Sequence, residues 1–164
     1  RMGDILIRMA RGEEAGSLAE IEGICFPPLE GASPEQVEER MKTFPENFVV
    51  AEAEGKPVGF INGGTTDRPY LPDEMYHEVS LHIPGGDYQT VFGLNVLPDY
   101  RRQGIAGKLV DYFTDLARSR GKKGVVLTCK EKLIRFYEKH GFQCYGESDS
   151  SHGGARWYDM RNIF

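Results

Sequence analysis

The chain has 164 residues, 40% apolar and 27% charged, proportions that exclude a fibrous or disordered polypeptide and leave a core large enough to need no disulfide or metal staple. A formal charge of -5 disfavours a phosphate-backbone binder, so no nucleic-acid partner is expected and a cationic substrate is. The longest apolar runs, 48–51 and 124–127, fall far short of the ~18 residues of a membrane span, and no membrane partner is expected.

In chain order, Ile5, Ile7 and Met9 alternate with Leu6, Arg8 and Ala10 as a first strand. Ala15, Leu18, Ile21 and Cys25 then recur at helical spacing behind the acidic pair Glu13 and Glu14. Phe26-Pro27-Pro28-Leu29 breaks that helix. Ser33-Pro34-Glu35-Gln36 is a capping box with proline at the first helical position, and it opens a short helix with Val37, Met41 and Phe44 on one face, stopped at Pro45. Residues 48–53 and 58–65 flank Glu54-Gly55-Lys56-Pro57 as a β-hairpin. Residues 66–88 carry three X-Pro steps and Gly85-Gly86, which predicts a long loop with at most one helical turn near 73–78.

Residues 91–97 read as a strand, and 104–119 as a helix with Ile105, Leu109, Phe113 and Leu116 inward. A buried strand at 124–128, a helix at 131–139 closed by Gly141, and strands at 142–147 and 156–163 complete the chain. No repeat, low-complexity run or linker divides it, so 1–164 is expected to be one domain. The order is α+β, and the strand-helix-strand crossover between 91 and 128 demands a parallel pair.

Cys25, Cys129 and Cys144 contain no CxxC pair, so no metal is expected, and reduced thiols in a cytoplasmic protein are. The start lacks signal-peptide character, and Arg1 ahead of Met2 reads as a residue left from expression.

The most informative stretch is Leu97-Pro98-Asp99-Tyr100-Arg101-Arg102-Gln103-Gly104-Ile105-Ala106-Gly107-Lys108. It joins a strand to the crossover helix with small residues where backbone N–H groups converge beside two arginines, which suits a phosphate or pyrophosphate. Taken alone, a solvated basic helix start explains it equally well. A Walker A loop is excluded, because Arg102 and Leu109 stand where glycine and Ser/Thr are required, and no GxGxxG occurs. Gly104-Ile105-Ala106-Gly107 also has the GxxG form with which KH modules clamp RNA, a reading opposed by the net charge and the flanking topology.

Arg101, Gly104 and Ala106 fit the R/Q-x-x-G-x-G/A motif, so the segment resembles that of the Gcn5-related N-acetyltransferases. The resemblance extends through Leu127 to Glu131, Leu133 and the run Phe136-Tyr137-Glu138-Lys139-His140-Gly141-Phe142, similar to the family's "FYEKxGF" signature. With Ser80-Leu81-His82, Pro84 and the Pro28-Leu29 loop, the pattern resembles the arylalkylamine (serotonin) N-acetyltransferase branch over nearly the whole chain.

The resemblance implies a mixed, mostly antiparallel sheet with a splayed parallel pair and helices on both faces. It implies acetyl-CoA as acetyl donor, attacked directly by a small primary amine, with no metal. A sensor without catalysis is the alternative. Backbone groups of Leu94, Asn95 and Val96 would meet the pantetheine arm and thioester. Arg101, Arg102, Gln103, Gly104, Ile105, Ala106, Gly107 and Lys108 would hold the pyrophosphate, and Cys129, Phe136 and Tyr137 would face the thiol end.

Tyr137 matches the family's general acid. Its ordinary pKa of about 10 lies above a thiol's ~8.5, so proton transfer to the thiolate is uphill unless the site adjusts either value, and the alternative role is that of a hydrogen-bond donor. The paired histidines of the vertebrate enzymes are replaced by Thr90 and Phe92. His82 is named as the base in their place. Glu78, Asp87, Tyr88 and His152 are weighed as solvated loop groups, and His140 as a helix C-terminal charge. Phe26, Pro28, Leu29 and Trp157 match positions that pack an aromatic amine. A monomer or homodimer is expected.

Overall fold

The computed structural model describes residues 4–150 and 154–164. These form two compact units interleaved along the chain, one drawn from residues 4–62 and 93–113, the other from 63–92, 114–150 and 154–164.

In the first unit, β1 (Ile5–Met9), β2 (Phe48–Ala53), β3 (Lys56–Asn62) and β6 (Gly93–Val96) form an antiparallel sheet in the order β1-β2-β3-β6. The β2–β3 hairpin turns on Glu54 and Gly55, both left-handed at φ 52° and 79°, the conformation a two-residue hairpin loop requires. Helices α1 (Ala15–Cys25) and α2 (Pro34–Thr43) supply Leu18, Ile21, Val37 and Met41 to the core. The expected capping box is present, with Gln36 N–H donating to Ser33 Oγ at 3.2 Å and Ser33 N–H to Gln36 Oε1 at 2.9 Å. Phe44, Phe48 and Phe60 stack in series with centroids 6.0 and 6.2 Å apart. Each such buried ring contributes about 1.5–3 kcal/mol.

In the second unit, β4 (Thr65–Thr66), β5 (Tyr88–Val91), β7 (Gly124–Cys129), β9 (Tyr158–Ile163) and β8 (Gln143–Glu147) pair in the order β4-β5-β7-β9-β8. The required parallel pair is β5 with β7, Tyr88 opposite Gly124 through Val91 opposite Leu127; the other pairings are antiparallel. Strand β7 is the centre, with Val125, Val126 and Leu127 buried. Helix α4 (Ile134–Lys139) follows it. Helix α3 (Ile105–Ser119) runs from one unit's residues into the other's, and its buried stripe is Ile105, Leu109, Val110, Phe113 and Ala117, with Leu116 only half-buried.

Several boundaries differ from the sequence expectation. The single strand at 91–97 is two strands with a bend at Phe92, and it starts earlier, at Tyr88. Periodicity missed β5 because Gln89 is buried there, its Nε2 satisfied by the carbonyls of Gly63, Gly64 and Thr90 at 2.8–3.1 Å. The strand expected at 58–65 breaks at Gly63-Gly64. The long loop holds two 3₁₀ turns, Asp73–Tyr76 and Val79–Leu81, not one. The helix expected from 131 begins as a 3₁₀ turn, Glu131–Leu133.

Candidate active site

After β6 the chain makes a 3₁₀ turn at Pro98–Tyr100, leaves residues 101–104 exposed, and enters α3 at Ile105. Arg102 (φ 63°) and Gly104 (φ 79°) are both left-handed, and these reversals turn the backbone onto the helix N-terminus. The first intrahelical bond there is Lys108 N–H to Gly104 C=O at 3.1 Å, so the N–H groups of Ile105, Ala106 and Gly107 have no carbonyl within the helix. A Cβ on Gly104 would meet nothing within 4 Å. Open space, first-turn amides without an intrahelical carbonyl, the positive end of a helix dipole and two flanking cations fit a pyrophosphate.

Arg101 does more than supply charge. Its Nε donates to the Val96 carbonyl at 2.9 Å, and Cys25 Sγ donates to the same oxygen at 3.4 Å. The turn is thereby braced against the end of β6, and that carbonyl is already committed to two side chains. Burial pushes the Cys25 thiol up against the pull of Arg101, which keeps it a protonated donor. Asn95 is fully buried, its Nδ2 3.5 Å from the Phe60 carbonyl, so only its backbone is available to a ligand.

In the second unit, Tyr137 is buried on α4 between the edges of Phe136 and Phe142, with centroids 5.0 and 5.5 Å away. Burial drives its phenol well above the ordinary tyrosine value, and Cys129 and Tyr76 push it further in the same direction. The Cys129 thiol is itself raised by burial to about 12. Tyr76 and Thr128 share a hydroxyl hydrogen bond at 3.0 Å. Tyr137 therefore keeps its proton, and its O–H is a donor for a neighbouring anion rather than a ready acid. Among the described residues, no three His, Cys, Asp or Glu side chains gather as metal ligands do.

The profile of the acetyltransferase (GNAT) family matches residues 16–142. The chain belongs to the GNAT acetyltransferases. It is 29% identical over 153 residues to the serotonin N-acetyltransferase of Mesocricetus auratus, covering 91% of this chain and 72% of that one. Among solved structures it is similar to a GNAT-like decarboxylase, GphF, in complex with isobutyryl-CoA (TM-score 0.83, 21% identity, 96% of this chain and 98% of that one). It is also similar to a GNAT acetyltransferase from Brucella melitensis in complex with acetyl-CoA (TM-score 0.65, 18% identity, 98% and 88%). The expected family, mixed fold and acetyl-CoA-dependent N-acetyltransferase class are borne out. The GxxG segment is the strand-to-helix turn of a GNAT fold, not part of an RNA-binding module.

Other sequence candidates of this GNAT chain have definite surroundings. His82 Nδ1 accepts the Thr65 N–H at 2.9 Å. The neutral ring then carries its proton on Nε2, which leaves no lone pair there to receive another. Asp87 pairs with Lys123 at 3.3 Å, Tyr88 lies in β5, and His140 packs its ring on Phe136 at 4.9 Å; His152 lies outside the described residues. Phe26 is half-buried, while Pro28 and Leu29 protrude from a turn closed by the N–H groups of Glu30 and Gly31 on the Pro27 carbonyl. Leu29 is 78% exposed. In the second unit Trp157 is buried, with Lys130 Nζ 5.8 Å from its ring centre.

Sequence reasoning passed over Glu22, a buried carboxylate on α1, and the Tyr76–Thr128 pair. Glu22 carried a signal: it stands four residues after Leu18 and one after Ile21, on the helix's inward stripe. Tyr76 carried none, since it sits in a loop without periodicity.

Proposed function

We propose that this GNAT enzyme acetylates a small primary amine with an aromatic or otherwise apolar body. The observation that carries the reading is the similarity over 91% of the chain to a serotonin N-acetyltransferase, and the net charge of -5 favours an incoming cation. The N–H groups of Gln103, Gly104, Ala106 and Gly107 hold the pyrophosphate of acetyl-CoA, which brings an activated acetyl thioester. Arg102 and Lys108 add charge around them. The backbone N–H of Leu94 stabilises negative charge on the thioester oxygen, and the Tyr137 O–H donates to the departing sulfur. Phe26, Pro28, Leu29 and Trp157 receive the acceptor's apolar body.

His82 is assigned a structural role, as acceptor for Thr65, and not the role of base. The exposed thiol of Cys144 suits a reducing, cytoplasmic setting, and the chain acts as a monomer or homodimer. Among the described residues no helix is long and apolar enough to cross a membrane.

Initial-rate assays across an amine panel test the specificity. Tryptamine and phenylethylamine are expected to exceed spermidine and glucosamine in kcat/KM, and Trp157→Ala to narrow the gap. A higher kcat/KM for spermidine or a peptide amine overturns the arylalkylamine assignment.

A further inference from the structure

The turn Asp73–Tyr76 of the second unit carries a small apolar cluster of its own. Leu71, Met75 and Tyr76 are buried together, with half-buried Phe92 packed against them. The Tyr76 and Phe92 rings lie 5.4 Å apart, tilted by 41°. A Cβ on Gly64 would come within 3.3 Å of Met75 Cε and 3.4 Å of Phe92 Cζ, so a glycine there admits both side chains. The turn is held in place from outside the cluster, since Ser150 Oγ donates to Asp73 Oδ1 at 2.7 Å.

The cluster ends in two hydroxyls, Tyr76 Oη and Thr128 Oγ1, which share a hydrogen bond at 3.0 Å. A hydroxyl has one proton and two lone pairs, so Thr128 keeps hydrogen-bonding capacity beyond the bond it shares with Tyr76. Opposite Thr128 in the β7–β9 ladder stands Asp159, whose carboxylate accepts Arg161 Nε at 3.2 Å and Nη2 at 2.7 Å. That cross-strand charge is balanced, and the polar tip of the cluster consists of neutral hydroxyls. Apolar walls with a neutral polar tip match a flat ring that carries a hydroxyl better than they match an ammonium.

Successive residues of a strand face opposite ways. Cys129 lies beside Tyr137, so Thr128 is on the other face of β7. Lys130, extended at φ -71° and ψ 156°, returns to the side of Thr128, where its Nζ is 5.8 Å from the ring centre of Trp157, the residue given above to the acceptor's apolar body. Tyr76 also acts on the Tyr137 phenol, which places the pair near the group that serves the departing sulfur. Phe92 stands two residues before Leu94, whose N–H is assigned above to the thioester oxygen, so chain connectivity alone keeps the two backbones within about 7 Å.

We infer that Tyr76 and Thr128 are specificity-determining residues of the acceptor site, their hydroxyls hydrogen-bonding the ring hydroxyl of a phenolic amine whose ring packs on Phe92 and Tyr76. The inference rests on the amine-acetylation reading above and narrows it from apolar-bodied amines to phenolic ones. An acceptor without the ring hydroxyl covers the same hydroxyls and leaves their capacity unspent, which is how a polar tip discriminates.

Initial rates of the full chain with tyramine, and with phenylethylamine, which lacks only the ring hydroxyl, are the test. In the wild-type protein tyramine should exceed phenylethylamine in kcat/KM by about tenfold. Tyr76→Phe keeps the ring against Phe92 and removes one hydroxyl, and it should bring the two kcat/KM values within about twofold of each other. Thr128→Val, a change of similar volume, should do the same, and it decides the matter if Tyr76→Phe does not fold. The ratio cancels any general loss of stability or cofactor affinity, because a merely structural role would slow both substrates alike. Equal kcat/KM for the two amines in the wild-type protein, or an unchanged ratio in both variants, overturns the inference and leaves amine acetylation standing. If the wild-type protein acetylates none of the amines, the amine reading itself falls and this inference with it.

Discussion

The turn between β6 and α3 and the surroundings of Tyr137 both offer hydrogen-bond donors, but of opposite kinds. In the turn the donors are exposed backbone N–H groups, set by two left-handed residues and a helix start. Around Tyr137 the donor is one buried side-chain hydroxyl among aromatic rings and a thiol held near 12. Backbone donors tolerate most side-chain changes and fail when a Cβ alters the backbone path. A buried hydroxyl is indifferent to its backbone and fails when a single oxygen is removed. Binding should therefore be most sensitive at the turn, and chemistry at the tyrosine.

Tyr137→Phe is the largest expected effect: kcat should fall by roughly 10² or more with acetyl-CoA affinity nearly unchanged. Steady-state rates paired with calorimetry check this, and an intact kcat, provided that chemistry limits turnover, would make Tyr137 a packing residue. Gly104→Val should act the other way. Because φ is 79° there, a β-branched side chain strains the turn and misdirects its amides, so the acetyl-CoA Kd should rise about 10-fold or more while kcat at saturation is largely kept. Unchanged affinity in the folded variant would remove the turn from the binding site.

The same comparison fixes a pH profile. Since the Tyr137 phenol lies above its ordinary value, it stays protonated through the range where a free tyrosine, with a pKa of about 10, would ionise. Activity should rise with pH as the amine loses its proton and show no fall near pH 10; a falling limb there would mean an ordinary phenol. His82→Asn should leave kcat/KM within about twofold of wild type, because the amide oxygen can still accept the Thr65 N–H. A hundredfold loss would return His82 to the role of base.

The smallest effect on chemistry is expected at Glu14, which accepts Arg8 Nη2 at 2.6 Å while Arg8 Nε donates to Glu52 at 2.8 Å. Arg8 holds the Glu14 carboxyl below its usual range. The pair thus stabilises the fold above the unfolded carboxyl's pKa, and that contribution is lost as pH falls through the lower folded value. Glu14→Gln should cost about 1–2 kcal/mol at neutral pH, read by denaturant unfolding. The difference should disappear in acid, and the rate of acetyl transfer should stay unchanged.

The contrast also decides what could be read from sequence. The turn was legible because its chemistry requires small residues at fixed spacing beside a helix start, and Gly104, Ala106 and Gly107 are visible as letters. The capping box at Ser33 was legible for the same reason, as a local rule with a local signature, and the need for a parallel pair followed from the crossover, although the strand that forms it with β7 did not. Strand β5 was not, since Gln89 breaks the apolar pattern and its three carbonyl partners are known only once the chain is folded. His82 was named as the base in place of the missing paired histidines, and its acceptance of the N–H of Thr65, 17 residues away in sequence, could not be read from the letters. Glu22 was hidden by the opposite error: a charged letter on a helix reads as surface, while its fold position is buried.

The most direct test of acetyl transfer to an amine is product stoichiometry in wild-type protein supplied with acetyl-CoA and tryptamine, with the released thiol and the N-acetylated amine quantified in the same samples over time. The account predicts equal amounts of the two, with Tyr137→Phe lowering both in parallel. Thiol appearing without acetylated amine, or no thiol in excess of the uncatalysed background, would contradict it.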